Sequence, residues 1–199
     1  MRVFGLLLAA GLSRRFGAAD KLCAPFEGRP LVAHAADVLR GLDLAGRLAV
    51  TSAPEVTASL HGFAIVSNPD PAAGQGASLA RGARAARARG ADRLLVLLGD
   101  APLVTRAQGR AVIAACTEAR PAASVAGGTV SPPACFPASW LDRLAALDGD
   151  RGAGALLRGL PPGALVPAPS GTLADADTPD ALAALRRIQT PIRARGRAA

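Results

Sequence analysis

The chain has 199 residues, half of them apolar, a formal net charge of +8, and only 3% aromatic residues with no tyrosine. That length suits one domain around one core, and with no run of about 18 consecutive apolar residues the sequence offers no candidate membrane span. Five arginines (Arg186, Arg187, Arg193, Arg195 and Arg197) follow the last acidic residue, Asp180, leaving +3 for the rest; with so few aromatics to stack on bases, this is a basic terminus rather than a nucleic-acid groove.

In chain order, short β-type runs alternate with helical patterns, the signature of an α/β domain whose sheet is covered by helices. Arg2 to Ala9 is a nearly continuous apolar run, as a central parallel strand requires. It is too short for an export signal, is followed by two arginines instead of preceded by a basic stretch, and ends in a glycine turn, so the protein is expected in the cytoplasm. After Pro30, the residues Leu31, Val32, Ala35, Val38, Leu39 and Leu42 recur at helical spacing, with His34 expected on that helix's surface. Leu48 to Thr51 and Ala64 to Val66 are the second and third strands, and Ser78 to Arg89 is an Ala/Arg-rich helix.

Leu94 to Leu98 is a second strongly apolar strand, ending at Gly99-Asp100. The next helix starts at Thr105, with Gln108 completing a capping box. Ser124 to Ala126 forms a further strand, after which Gly127-Gly128 and Pro132-Pro133 mark a loop. Trp140, Leu141, Leu144 and Leu147 give a short helix. Thr178-Pro179, an N-cap followed by proline, opens the last helix, Pro179 to Ile188. Residues 1–190 therefore form the domain, and 191–199 a basic, disordered tail. Cys23, Cys116 and Cys135 are odd in number, far apart and without a CxxC or Cys/His pairing, so they are expected as reduced, mostly buried thiols.

Four segments carry chemistry. In LLLAAGLSRRFGAADKL, a buried strand delivers the chain into a turn with Gly11 and Gly17, surrounded by Ser13, Arg14, Arg15 and Lys21. Glycines let backbone amides approach a polyphosphate; Arg15 offers a fork to phosphate oxygens and Lys21 a mobile point charge. Taken alone, such a loop serves equally as a plain strand-to-helix connection. SNPDPAAGQGASLARG places two glycines around Gln75 and then Ser78 before a helix N-terminus, an anion or ribose site or simply a turn with its cap. In LLVLLGDAPLV, Asp100 stands at the carboxyl end of a buried strand, where open α/β sheets place their ligands; a carboxylate facing a triphosphate loop suits magnesium. In TLADADTPDAL, Asp175 and Asp177 are expected at a strand end on opposite faces, so that only one of them joins Asp100 on a shared metal. A structural explanation, acidic residues favoured before a helix start, covers the same segment and Asp180.

Together these segments resemble the MobA-like NTP transferase family, and within it the molybdenum cofactor cytidylyltransferase branch. Leu8 to Lys21 is similar to the signature LAAGxSxRFGxxK, NPDPAAGQGAS to the second loop, LLGDAPLV to the GD-x-P metal motif, LDGDRGAGALLRG to a GDRGAR-LL segment, and DADTPDAL to a closing DIDTPED. The resemblance implies a Rossmann-like, GT-A-like nucleotidyltransferase fold with a mostly parallel mixed sheet flanked by helices on both faces. It implies transfer of CMP from CTP to the phosphate of a molybdopterin-type acceptor, with release of pyrophosphate. By the same resemblance Ala9, Ala10, Gly11, Leu12, Ser13, Arg15 and Lys21 hold the triphosphate, and Gln75, Gly76 and Ser78 lie near base and ribose. Asp100 and Asp177, with Asp175 as competitor, hold Mg²⁺; Lys21, Arg15 and Asp100 form the catalytic set. Guanylyltransferases of the family read LAGG where this chain has Leu8-Ala9-Ala10-Gly11, and a methyl at position 10 narrows the space for the base, favouring a pyrimidine.

The chain departs from the family in two places. Gly127 to Pro137 carries neither histidine nor charge, and Gly154 replaces the second arginine of GDRGAR; both fall where an anionic pterin would bind. The alternatives are a molybdopterin guanylyltransferase, a sugar-phosphate nucleotidyltransferase, or a non-catalytic accessory protein that delivers the cofactor to a molybdenum hydroxylase apoenzyme. Partners are thus CTP or another NTP, a phosphorylated acceptor and that hydroxylase, without nucleic acid or membrane.

Overall fold

The computed structural model describes residues 1–13, 16, 20–150 and 152–196, with side chains as far as Ile188. Nine strands and seven α-helices follow one another among these residues: β1 (Val3–Ala9), β2 (Pro25–Phe26), β3 (Arg29–Pro30), α1 (Leu31–Arg40), β4 (Gly46–Thr51), α2 (Pro54–Thr57), β5 (Ala64–Ser67), α3 (Gly74–Ala88), β6 (Arg93–Leu98), α4 (Arg106–Ala115), β7 (Ala122–Ala126), β8 (Thr129–Pro137), α5 (Leu141–Ala145), α6 (Gly154–Leu157), β9 (Leu165–Pro167) and α7 (Pro179–Gly196). Seven strands form one sheet in the order β5-β4-β1-β6-β8-β7-β9, and β2 and β3 pair as a separate short ribbon. β5, β4, β1 and β6 run parallel, and β8 pairs antiparallel with both β6 and β7. This is the mostly parallel mixed sheet that the resemblance implies.

The two apolar strands lie side by side at the centre, with Leu8 opposite both Val50 and Leu98. Alternate side chains feed two cores. Leu7 and Ala9 of β1 and Leu95 and Leu97 of β6 pack with Val32, Ala35 and Leu39 of α1 and Val112 of α4. On the other face Phe4, Leu6, Leu8, Leu94 and Val96 meet Leu79, Ala83 and Ala86 of α3 and Leu141 and Leu144 of α5. Burial on both faces explains why neither strand alternates with polar residues. Leu6, Leu7, Leu94, Leu95 and Leu97 are all but fully buried, each worth about 1.5–3 kcal/mol relative to exposure.

Several expectations change. Gly127 to Pro137 is not a loop but a hairpin turn and the nine-residue strand β8. Gly127 and Gly128 both have positive φ, +55° and +79°, as a two-residue hairpin turn requires. The β7–β8 register jumps from Ala123↔Ala134 to Ser124↔Ser131, leaving Pro132 and Pro133 unpaired at a bulge, where their missing N–H groups cost no ladder bond. The helix expected from Ser78 starts at Gly74, four residues earlier, and the last helix runs to Gly196 rather than Ile188. Thr105 does cap α4 by accepting from the Gln108 amide at 3.1 Å. The Gln108 side chain, however, donates to Ser124 Oγ and the Val166 carbonyl instead of returning to the cap. His34 is not free on the surface: its Nε2 lies 2.8 Å from the Phe26 carbonyl and its ring meets Phe26 edge-on. Cys116 and Cys135 are buried, and Cys23 half-buried. Among the described residues no helix is long and apolar enough to cross a membrane.

Candidate active site

β1 and β6 run parallel and adjacent, while the chain leaves them in opposite directions across the sheet, to β4 and to β7. This is the switch point at which a crevice opens beyond the strand ends. A cleft of about 460 Å³ lies there, lined by Ala10, Gly11, Leu12, Ser13 and Lys21 from the segment after β1, and by Asp100 after β6. Gln75 and Ser78 of α3 close one side, and Asp175 and Asp177 from the segment before α7 contribute further carboxylates.

Lys21 is the hub. Its Nζ donates to Asp100 Oδ2 at 2.5 Å and to Asp177 Oδ1 at 2.9 Å, and its side chain is only 11% exposed. Burial alone would lower its pKa, but the charge and hydrogen bond of Asp100, and then of Asp177, outweigh burial and hold the ammonium above its ordinary value. Asp175 is exposed as a residue, yet its carboxyl faces the cleft. Loss of water, then the charges of Asp100 and Asp177, push its pKa up to about 6, against the smaller opposing pull of Lys21.

Asp175 and Asp177 do not sit on opposite faces of a strand. The chain from 174 to 177 has no regular secondary structure, and both carboxylates line the same cleft. Ala176 between them is fully buried, and its N–H donates to the Asp100 carbonyl at 3.0 Å, joining the two acidic segments backbone to backbone.

Not every candidate faces the cleft. Ala9 is buried in the core on the α1 side, and Gly76 uses its N–H on the Gly149 carbonyl at 2.8 Å. Ser78 does line the cleft, but its hydroxyl is engaged, accepting from Asn68 Nδ2 at 3.0 Å. Arg15 and Gly17 lie outside the described residues. Two residues come forward that sequence reasoning missed. Asn68, 1% exposed, holds Ser78, and its place in the SNPDPAAGQGAS segment was its only signal. Asp150 lines the cleft from the Gly149-Asp150 turn; that stretch looked like an acceptor element rather than part of the cleft.

The carboxylates fit a divalent cation. Asp100 and Asp177 reach one point, the Lys21 ammonium, from different segments, and the crowding around Asp175 marks an excess of negative charge that a cation relieves. Among the described residues no three His, Cys, Asp or Glu side chains group as a self-sufficient metal cage.

A mostly parallel mixed sheet with a basic and acidic cleft at its switch point is the architecture of a nucleotidyltransferase. Residues 5–165 match the MobA-like NTP transferase domain, and the chain belongs to that family. It is 31% identical over 202 residues to the purine catabolism protein PucB of Bacillus subtilis, covering 94% of this chain and 98% of that one. A molybdenum cofactor guanylyltransferase of Cereibacter sphaeroides is 36% identical over 119 residues, about half of each chain. Among solved structures, a nucleotidyl transferase from Methanothermobacter thermautotroptrophicus superposes with a TM-score of 0.81 at 23% identity, covering 94% of this chain and 96% of the other. A Mycobacterium tuberculosis protein crystallised with manganese gives 0.74 at 25% identity over 94% and 99%.

Proposed function

We propose that this protein transfers CMP from CTP to the phosphate of a molybdopterin-type acceptor, with Mg²⁺ bound by Asp100 and Asp177, and releases pyrophosphate. The observation that carries the transferase chemistry is the Lys21–Asp100–Asp177 constellation at the mouth of the strand-end cleft. The choice of cytosine rests on Ala10, a cleft-lining residue whose methyl stands where guanylyltransferases of the family carry glycine.

The acceptor phosphate is already a nucleophile at neutral pH, so no side chain has to remove a proton. The residues position the α-phosphate for in-line attack and offset the charge that develops on it and on departing pyrophosphate. Lys21 and Arg15 supply positive charge; Asp100 and Asp177 hold the cation. Bound Mg²⁺ supplies Lewis-acid polarisation of the phosphoryl oxygens. The manganese-bound structural relative supports a divalent cation, and the molybdenum cofactor guanylyltransferase relative supports a molybdopterin-type acceptor.

The guanylyltransferase relative favours a second reading, in which GTP is the donor. Pyrophosphate release from each of the four nucleoside triphosphates, with Mg²⁺ and a phosphorylated pterin acceptor, separates the two. CTP is expected to exceed GTP by at least about tenfold in kcat/KM, the scale on which one methyl group discriminates, and Ala10→Gly to narrow that gap. Preference for GTP by the wild type moves the assignment to the second reading, and turnover with none of the four overturns both.

A further inference from the structure

The hydroxyl of Ser13 closes its own loop. Ser13 Oγ donates to Asp20 Oδ1 at 3.1 Å and accepts from the Lys21 backbone N–H at 3.1 Å. The same Asp20 oxygen accepts from the Leu22 amide at 2.9 Å and so caps the short 3₁₀ turn Lys21–Cys23. A serine hydroxyl has one proton, and here it is given to Asp20, so none is left to offer an acceptor-only phosphate oxygen. Ser13 also holds a φ of +50°, uncommon for a residue with a side chain and maintained only where surroundings demand it. Its carbonyl accepts from Phe16 N at 2.8 Å, and Phe16 packs against the cluster of Phe26, Leu31, Leu103, Ala176, Leu182 and Leu185.

We infer that Asp20 is a positioning residue: through Ser13 and the Lys21–Leu22 backbone it latches the two ends of the glycine loop together and so aims the Lys21 side chain at the reacting phosphate. The inference rests on Lys21 having the role proposed above. Asp20 itself does not line the cleft, so losing it misdirects the lysine without removing a cleft-lining group. Small misplacements of a catalytic group cost rate steeply.

The test combines steady-state kinetics with amide exchange. Asp20→Ala is expected to lower kcat by about tenfold or more with KM for the nucleotide changed much less. Asp20→Asn, whose amide oxygen still accepts both hydrogen bonds, is expected to recover most of that loss. In a Lys21→Ala background Asp20→Ala is expected to add no further loss, because the residue acts through Lys21. Losses that multiply in the double variant, or a change confined to KM, overturn the positioning role. Hydrogen exchange at the Lys21 and Leu22 amides is read in the same proteins and needs no turnover. Exchange is expected to speed at least about tenfold in Asp20→Ala, and unchanged exchange overturns the latch itself. A wild type that turns over no nucleotide refutes the proposed function while leaving the exchange result to decide the latch.

Discussion

A buried lysine held between two aspartates is the residue-scale fact on which the chemistry depends. Asp100→Ala and Lys21→Ala are each expected to lose at least ~100-fold in transferase rate, the scale of losing one preorganised electrostatic group. Near-wild-type turnover in a folded Asp100→Ala protein refutes the metal assignment. Asp175 carries a separate, thermodynamic consequence. Its pKa is raised in the folded state to about 6, so its contribution to stability is full below its ordinary value near 4 and is lost as the pH rises through 6. Charged Asp175 is therefore a liability in metal-free protein. In chelator, Asp175→Asn is expected to raise Tm on the order of 1–3 °C at about pH 7.5 and to leave it unchanged near pH 3.5. A gain that persists at the acidic end contradicts the crowding of charge described around this residue.

At the scale of elements, the first turn of α3 and the Gly149-Asp150 turn depend on each other. Gly74 has a φ of +93°, and a Cβ there would come within 2.5 Å of Asp150 Oδ1 and of the Gly149 carbonyl group. Gly74→Ala must either shift that turn or give up the backbone conformation, at a cost of about 1–3 kcal/mol. Urea unfolding should register that loss, and KM for the nucleotide should rise together with it, because Gly74, Gln75 and Asp150 line the same cleft. A destabilised variant with unchanged KM separates the turn from nucleotide binding. Helices and strands themselves were largely legible from the chain. The apolar runs of β1 and β6 and the helical spacing of α1 announced their elements because burial on two faces, or on one stripe, leaves a local pattern. β8 was not legible. Its prolines are loop signals in isolation, and only the neighbouring β6 and β7 ladders reveal that they sit at a bulge.

Over the whole molecule, the C-terminal helix, outside the matched family region, packs against the segments that carry the site. Leu182 and Leu185 of α7 pack with Phe26, Leu31, Leu103 and the fully buried Ala176, and Arg186 donates to the Pro25 carbonyl at 2.6 Å. That cluster joins the glycine loop, the stretch after Asp100 and the Asp175–Asp177 segment. Leu185→Ala is expected to cost about 2–5 kcal/mol of stability, as core leucine truncations do. It should also lower kcat under conditions where the protein remains folded, since the floor beneath both aspartates moves. Unfolding by urea and turnover by pyrophosphate release check the two effects, and full activity in the folded variant shows that α7 serves stability alone.

The sequence by itself determined the fold class, the family and the positions of the main charged groups. Strand burial, glycine turns and a carboxylate at a strand end are local features, written within a few residues of one another. Tertiary structure alone decided how those groups meet. It turned Asp175 and Asp177 into the same cleft, placed Lys21 between Asp100 and Asp177, and brought Asp150 to that cleft. It also set the Ser13 hydroxyl to holding the loop. These outcomes depend on contacts between residues up to 156 positions apart, and distances of that kind leave no period or motif in the chain to be read.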